Sequence, residues 1–311
     1  MFAFCSVFFL TALFGYAAAI DCPPEFLTRP CICIHSDTLE CENITDISIL
    51  DGVIERTGSF RFNEFKLIDS KIDFIPSTYL QRKLFVKISI QNSQLTSLFD
   101  KVSDVSNNVK FLRVQNVSFS NGFPWEQLKT LKKLQHLVAV HVNIPSVGRN
   151  FKNNVSKYLK QFNLFGTNTT EIEDGAFSDL KYLVNLKIQN CELEVLKRSY
   201  FPRPANIRVI FINGNKLTTL PDDIFEDMPN LKMIELNRNK LSTISEAVFE
   251  KIHQKLVYVR LEDNPLNCDC SLRWILTLTS QINVFGTCAV PESLNGKPLQ
   301  KLEANDFGSC S

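Results

Sequence analysis

Apolar residues recur along the chain in one fixed frame. Its clearest copies are Ile207, Ile210, Ile212 and Leu217 with Asn215; Leu231, Ile234, Leu236 and Leu241 with Asn239; and Leu256, Val259, Leu261 and Leu266 with Asn264. Apolar side chains fall at positions 1, 4, 6 and 11, and an asparagine stands at position 9. Upstream the frame degrades but keeps its period. Its last position falls at Ile72, Leu95, Phe119, Ile144, Thr169, Leu193, Leu217, Leu241 and Leu266, with gaps of 23 to 25 residues. The weakest copy has Leu159, Phe162 and Leu164 followed by Thr167 and Thr169.

This pattern predicts an α/β repeat solenoid. Positions 3 to 5 form a short strand whose side chains alternate faces, so positions 4 and 6 point inward while 3, 5 and 7 line a concave parallel sheet. One repeat cannot bury its own apolar side, so repeats stack and share a core. The position-9 Asn is expected to turn inward and satisfy backbone groups where the chain bends. On the return path, irregular or short-helical, Phe177, Phe201, Phe225 and Phe249 recur every 24 residues. They read as a stacked core spine. Nine strands at ~4.8 Å spacing would make an inner face ~38 Å long.

Charge narrows the partners. With 34 basic and 33 acidic residues among 311, the chain lacks the overall basic excess of a nucleic-acid binder, so no nucleic-acid partner is expected. The first residues point to export. An apolar run from Phe2 to Phe14 precedes Ala17, Ala18 and Ala19, which reads as a cleaved signal peptide over residues 1–19. The chain stops one residue after Cys310, and no other stretch approaches spanning length, so a secreted product without a membrane anchor is expected. The expected organisation is a signal peptide at 1–19, an N-terminal cysteine cap and first turn at 20–60, nine repeats at 61–266 and a C-terminal cysteine cap at 267–311.

Ten cysteines are present. Cys22, Cys31, Cys33 and Cys41 cluster at the start and Cys268, Cys270, Cys288 and Cys310 at the end, and even clusters in an exported chain imply disulfides. Zinc is disfavoured because the spacing is CxC and no histidine is close to the C-terminal group, so no metal is expected. Cys191 stands at position 9 of its repeat, where a buried thiol is structural rather than reactive.

The repeat and the two clusters together resemble the extracellular leucine-rich-repeat family with cysteine-rich caps. Asn264, Pro265, Cys268, Cys270 and Trp274 resemble its C-terminal cap, and Cys22, Pro23, Pro24, Cys31, Cys33 and Cys41 its N-terminal one. The resemblance implies the pairs Cys22–Cys33, Cys31–Cys41, Cys268–Cys288 and Cys270–Cys310, although spacing alone leaves connectivity open. The N-terminal stretch also resembles secreted arthropod proteins similar to the non-catalytic leucine-rich subunit of oplophorid shrimp luciferase. That resemblance implies a partner or stabiliser.

Catalytic signatures are absent: there is no G-x-S-x-G, no Gly-rich phosphate loop and no H-E-x-x-H, so neither enzyme activity nor a cofactor is expected. Function should then sit on the concave face. Val138, Val140 and Phe165 make one apolar group there; Val209, Phe211, Met233 and Tyr258, with Arg260, make another. Exposed apolar groups of this kind mark contacts. Four sequons, at Asn43, Asn116, Asn154 and Asn168, would carry glycans, and none follows Thr170, which leaves the C-terminal half bare. The resulting expectation is a secreted module binding an extracellular protein. Alternatives are a non-catalytic stabilising subunit of a secreted enzyme complex and an innate recognition protein for glycan or lipid. Oligomeric state is not legible.

Overall fold

A computed structural model describes residues 22–308 of the chain. The expected signal peptide and Cys310 lie outside the described residues. A single sheet of twelve strands runs the length of the molecule. Nine of its strands belong to the repeats: Glu64–Ile68, Lys87–Gln91, Phe111–Gln115, His136–Val140, Gln161–Phe165, Asn185–Gln189, Val209–Phe211, Met233–Glu235 and Tyr258–Arg260. All nine pair in parallel. Position 3 of each lies opposite position 3 of the next, from Glu64 beside Lys87 to Met233 beside Tyr258.

The remaining three strands come from the ends. Thr38–Glu42 joins the first repeat in parallel, Ile32–Ile34 closes that end antiparallel, and Asn283–Phe285 continues the sheet past the last repeat. The concave face is therefore longer than nine strands, because both caps extend the sheet instead of merely covering it. The sequence carries this signal: Asn283 follows Tyr258 by 25 residues, within the period of the repeats.

Strand length departs from expectation in the first six repeats. The last three strands occupy positions 3 to 5, but the first six reach position 7. The chain then bends at position 8, which has positive φ in all nine repeats: Asp69, Asn92, Asn116, His141, Gly166, Asn190, Gly214, Arg238 and Asp263. Glycine is required at Gly214, where a Cβ would lie 2.2 Å from Asn190 Oδ1. The vacant space lets Arg238 Nη2 donate to the same Asn190 oxygen at 3.2 Å, across one intervening repeat.

Inward positions build one continuous core from Cys31 to Phe307. On the convex side the aromatic spine is longer than the four phenylalanines. Trp125 packs edge-on to Phe151, Phe151 on Phe177, and Phe177 against Phe201; beyond that, Phe225 meets Phe249 and Phe249 meets Trp274. Two buried cations hold convex carbonyls. Lys83 Nζ donates to Gly58 O at 2.9 Å and Phe60 O at 3.3 Å, while Arg198 donates to Glu226 O, Phe201 O and Pro202 O. Between described residues the disulfides are Cys22–Cys33, Cys31–Cys41 and Cys268–Cys288. Cys270 is also disulfide-bonded. Cys191 is a free, buried thiol. Among the described residues no helix is long and apolar enough to cross a membrane.

Candidate partner-binding face

The concave face is set by strand alternation, and its C-terminal third brings together most of the residues singled out from sequence. Phe211, Met233 and Tyr258 are partly exposed on adjacent strands. Val209 is different: at 8% exposure it is buried and offers little to a partner. Its short side chain lies between Asn185 and Met233 in register and is covered by longer neighbours.

The patch is not a bare apolar surface. Lys187 Nζ sits 4.7 Å from the centre of the Phe211 ring. Arg260 lies over two rings, Tyr258 at 5.7 Å and Phe285 at 5.0 Å. Glu235 organises the centre, accepting from the Tyr258 hydroxyl at 2.9 Å and from Asn213 Nδ2 at 2.7 Å. Burial, then that carboxylate, pushes the Tyr258 hydroxyl up to about 12, so it remains a donor at neutral pH. The outcome is a preorganised group of three rings and two cations fixed by one another and by Glu235, with Met233 on the strand between Phe211 and Tyr258. Phe285 was missed from sequence because it belongs to the cap strand.

The central group is also assembled. Val138 and Val140 are half-buried, and Phe165 is 36% exposed. His141 meets Phe165 edge-on at 5.4 Å, and Phe111 meets His136 at 6.0 Å. Between the two groups, Asn163 Oδ1 is buried with no hydrogen-bond partner among the described residues. The two groups are therefore separated by polar side chains and do not make one patch.

The sequon residues stand apart from both. Asn43, Asn116 and Asn168 are exposed with positive φ in the bends beyond the strands, and Asn154 ends the convex helix Arg149–Asn154.

Residues 205–266 match the leucine rich repeat family. Over 134 residues, 43% of the chain, the sequence is 30% identical to the NT-3 growth factor receptor of Gallus gallus, and the matched span is 12% of that receptor's length. In fold it is similar to a chain of the octameric complex of Latrophilin 3 (Lec, Olf), Unc5D (Ig, Ig2, TSP1) and FLRT2 (LRR). That match has a TM-score of 0.50 and 17% identity, and covers 80% of this chain and 91% of the other. Its fold is a leucine-rich-repeat solenoid with disulfides at both ends.

Proposed function

We propose that this protein is a secreted module that binds an extracellular protein through the C-terminal part of its concave face. The observation that carries the reading is the preorganised group of Phe211, Met233, Tyr258 and Phe285, with Lys187 and Arg260 over the rings. Aromatic and arginine side chains dominate interface energies when they are held in place before contact. The disulfides support an oxidising, extracellular setting. The sequons all precede this region, so it would stay free of glycans. A similar fold occurs in a complex with Latrophilin 3 and Unc5D, consistent with a protein partner.

The test is affinity capture from native extracellular fluid by the wild type and by the double variant Phe211→Ala, Tyr258→Ala. The variant should keep its melting temperature within a few degrees and lose capture at least about tenfold, as expected for two anchor residues. Undiminished capture by the folded variant would sink the proposal. A catalytic chain recovered in stoichiometric amount would make this protein the non-catalytic subunit of an enzyme complex.

A further inference from the structure

The near-neutral net charge conceals a segregation. Between residues 127 and 170 there are seven Lys and Arg and no Asp or Glu, which leaves 27 basic against 33 acidic residues elsewhere. The solenoid turns part of this segment into a strip along one flank of the sheet, ahead of the concave strands. Position 2 of each repeat donates its amide to position 2 of the preceding one: Gln135 to Lys110 and Lys160 to Gln135 at 2.8 Å, then Val184 to Lys160 at 2.9 Å. The residues just before follow the same register. Lys132, Lys157 and Lys181 each precede a paired strand by four residues, and Lys133, Tyr158 and Tyr182 by three.

All six of those side chains are exposed, as are Lys129 and Lys160. Tyr158 and Tyr182 are 58% and 52% exposed, yet their rings stack 5.8 Å apart, nearly parallel. They form a plate of two aromatic faces in solvent. Beside it lies an open depression of about 260 Å³ lined by Lys129, Lys132, Lys157, Tyr158, Asn153 and Asn154. The loop carrying Lys157 and Tyr158 is fixed from below, since Ser156 Oγ donates to Lys132 O at 2.9 Å and accepts from the Tyr158 amide. Two carboxylates reach the strip, Asp104 at Lys132 and Asp179 at Lys157, both in solvent-exposed pairs that salt screens and a polyanion can displace.

We infer that this flank binds a sulfated polysaccharide, with Lys129, Lys132 and Lys157 pairing with sulfate groups at the depression and the Tyr158–Tyr182 plate stacking on sugar rings. Lysines spaced by the repeat suit point charges distributed along a chain. Exposed ring faces suit the C–H faces of sugars, and neither ring is needed for the core. A disulfide-bonded chain works in a compartment where the abundant linear polyanions are polysaccharides, not nucleic acids. The strip is separate from the concave patch, so the two proposals fail independently.

The test uses the full disulfide-bonded protein on immobilised heparin, with the Asn154→Gln variant run in parallel to remove any glycan at the rim of the depression. Wild type should bind. Lys132→Glu with Lys157→Glu should weaken binding at least about tenfold, because every lysine–sulfate pair removed takes its counterion release with it. Tyr158→Ala with Tyr182→Ala should weaken it about threefold or more with no change of charge, as stacking losses do. Lys240→Glu with Lys301→Glu, matched in charge, should stay within about twofold, and Phe211→Ala with Tyr258→Ala should bind as wild type. Equal losses in the two charge-reversal pairs, or full binding by the tyrosine variant, would overturn the inference. So would equal affinity for desulfated heparin or for a single-stranded oligonucleotide of the same charge.

Discussion

The first six repeats and the last three solve the same problem with different chemistry. A chain that bends at every repeat buries backbone groups that must find partners. In the last three repeats the position-9 asparagine supplies them. Asn239 Nδ2 donates to Ile212 O and Leu236 O at 2.9 Å and to Asn237 O at 3.3 Å, and its Oδ1 accepts from Leu217 N; Asn215 and Asn264 repeat the arrangement. In the earlier repeats position 9 is Ser70, Ser93, Val117, Val142, Thr167 and Cys191, all buried. Ser93 accepts from Ser70 N and donates to Gln91 O, and the valines contribute nothing polar. There the backbone pairs with itself. Strands run two residues further, and short parallel strands appear beyond the bend: Lys71–Ile72, Gln94–Leu95 and Ser118–Phe119 at positions 10 and 11 in one set, Ser146–Val147 and Glu171–Ile172 at positions 13 and 14 in another.

The two devices compete at one atom. Asn215, Asn239 and Asn264 each take the position-6 carbonyl of the preceding repeat: Ile188, Ile212 and Leu236. The asparagine amide competes for that oxygen with the position-7 amide of the adjacent strand, and in these repeats the ladder stops at position 5. The displaced amide of Asn237 turns instead to Asn213 Oδ1 at 3.0 Å.

The largest expected effect tests this division directly. Asn239→Ala takes the partner of the buried Leu217 amide and one hydrogen bond each from Ile212 O, Leu236 O and Asn237 O, which keep Asn215 Nδ2, Asn264 Nδ2 and Gly214 N; losing four bonds in a buried bend should cost about 3 kcal/mol or more. Ser93→Ala removes two hydrogen bonds where the backbone has its own ladder, and should cost about 1 kcal/mol. Urea midpoints of the two variants measure the difference. Equal losses would mean that the side-chain and backbone devices carry the same weight, and the comparison would fail.

That division also explains what could be read from sequence. Repeats bent by asparagine announce themselves, and the family match at 205–266 covers those three and nothing upstream. Repeats bent by backbone pairing are constrained only to keep an apolar interior, so Val117 or Thr167 can stand at position 9 and only the period survives. Register was legible because one alternation fixes every strand. Val209 and Phe285 were not. The first is buried by its neighbours across strands and the second lies beyond the last recognisable repeat, and neither fact is local in sequence. The tyrosine and lysine strip was hidden by the overall charge balance, since its members are spread over successive repeats and meet only when the coils stack.

A smaller effect separates the two convex cations. Lys83 and Arg198 do similar work, but only lysine can lose its proton in an accessible range. Burial, then Arg82, lowers Lys83 from 10.5 to about 8. Between those values the unfolded chain binds more protons than the folded one, so stability rises with pH; below 8 the cost of burying the charge is present in full. The free energy of unfolding should increase by about 1–2 kcal/mol from pH 7.5 to 9.5 from this group. The window stops there because Tyr79, raised by burial and by donating to Asp51, contributes the opposite slope once unfolded tyrosine ionises. In Lys83→Met that increment should be missing from the urea titration, whatever its absolute stability. If the variant shows the same slope, the protonated amine is not the source.

The smallest change in energy carries the sharpest structural readout. Cys191 occupies position 9 of the sixth repeat, where its thiol contacts Thr167 Oγ1 and Gln189 O at 3.3 Å. Its strand, Asn185–Gln189, pairs over five residues with Gln161–Phe165 on one side but over only three with Val209–Phe211 on the other, where Asn215 intervenes. Cys191→Asn should convert the first side into the second. The new amide would take Leu164 O, the position-6 carbonyl of the fifth repeat, as Asn215 takes Ile188 O. Hydrogen bonds formed at the bend offset those broken in the ladder, so net stability should move by less than about 1 kcal/mol. Amide exchange would report the switch: protection at Gln189 should fall, while Leu186 and Ile188 keep theirs. An unchanged exchange pattern would show that strand length is set by something other than the position-9 side chain.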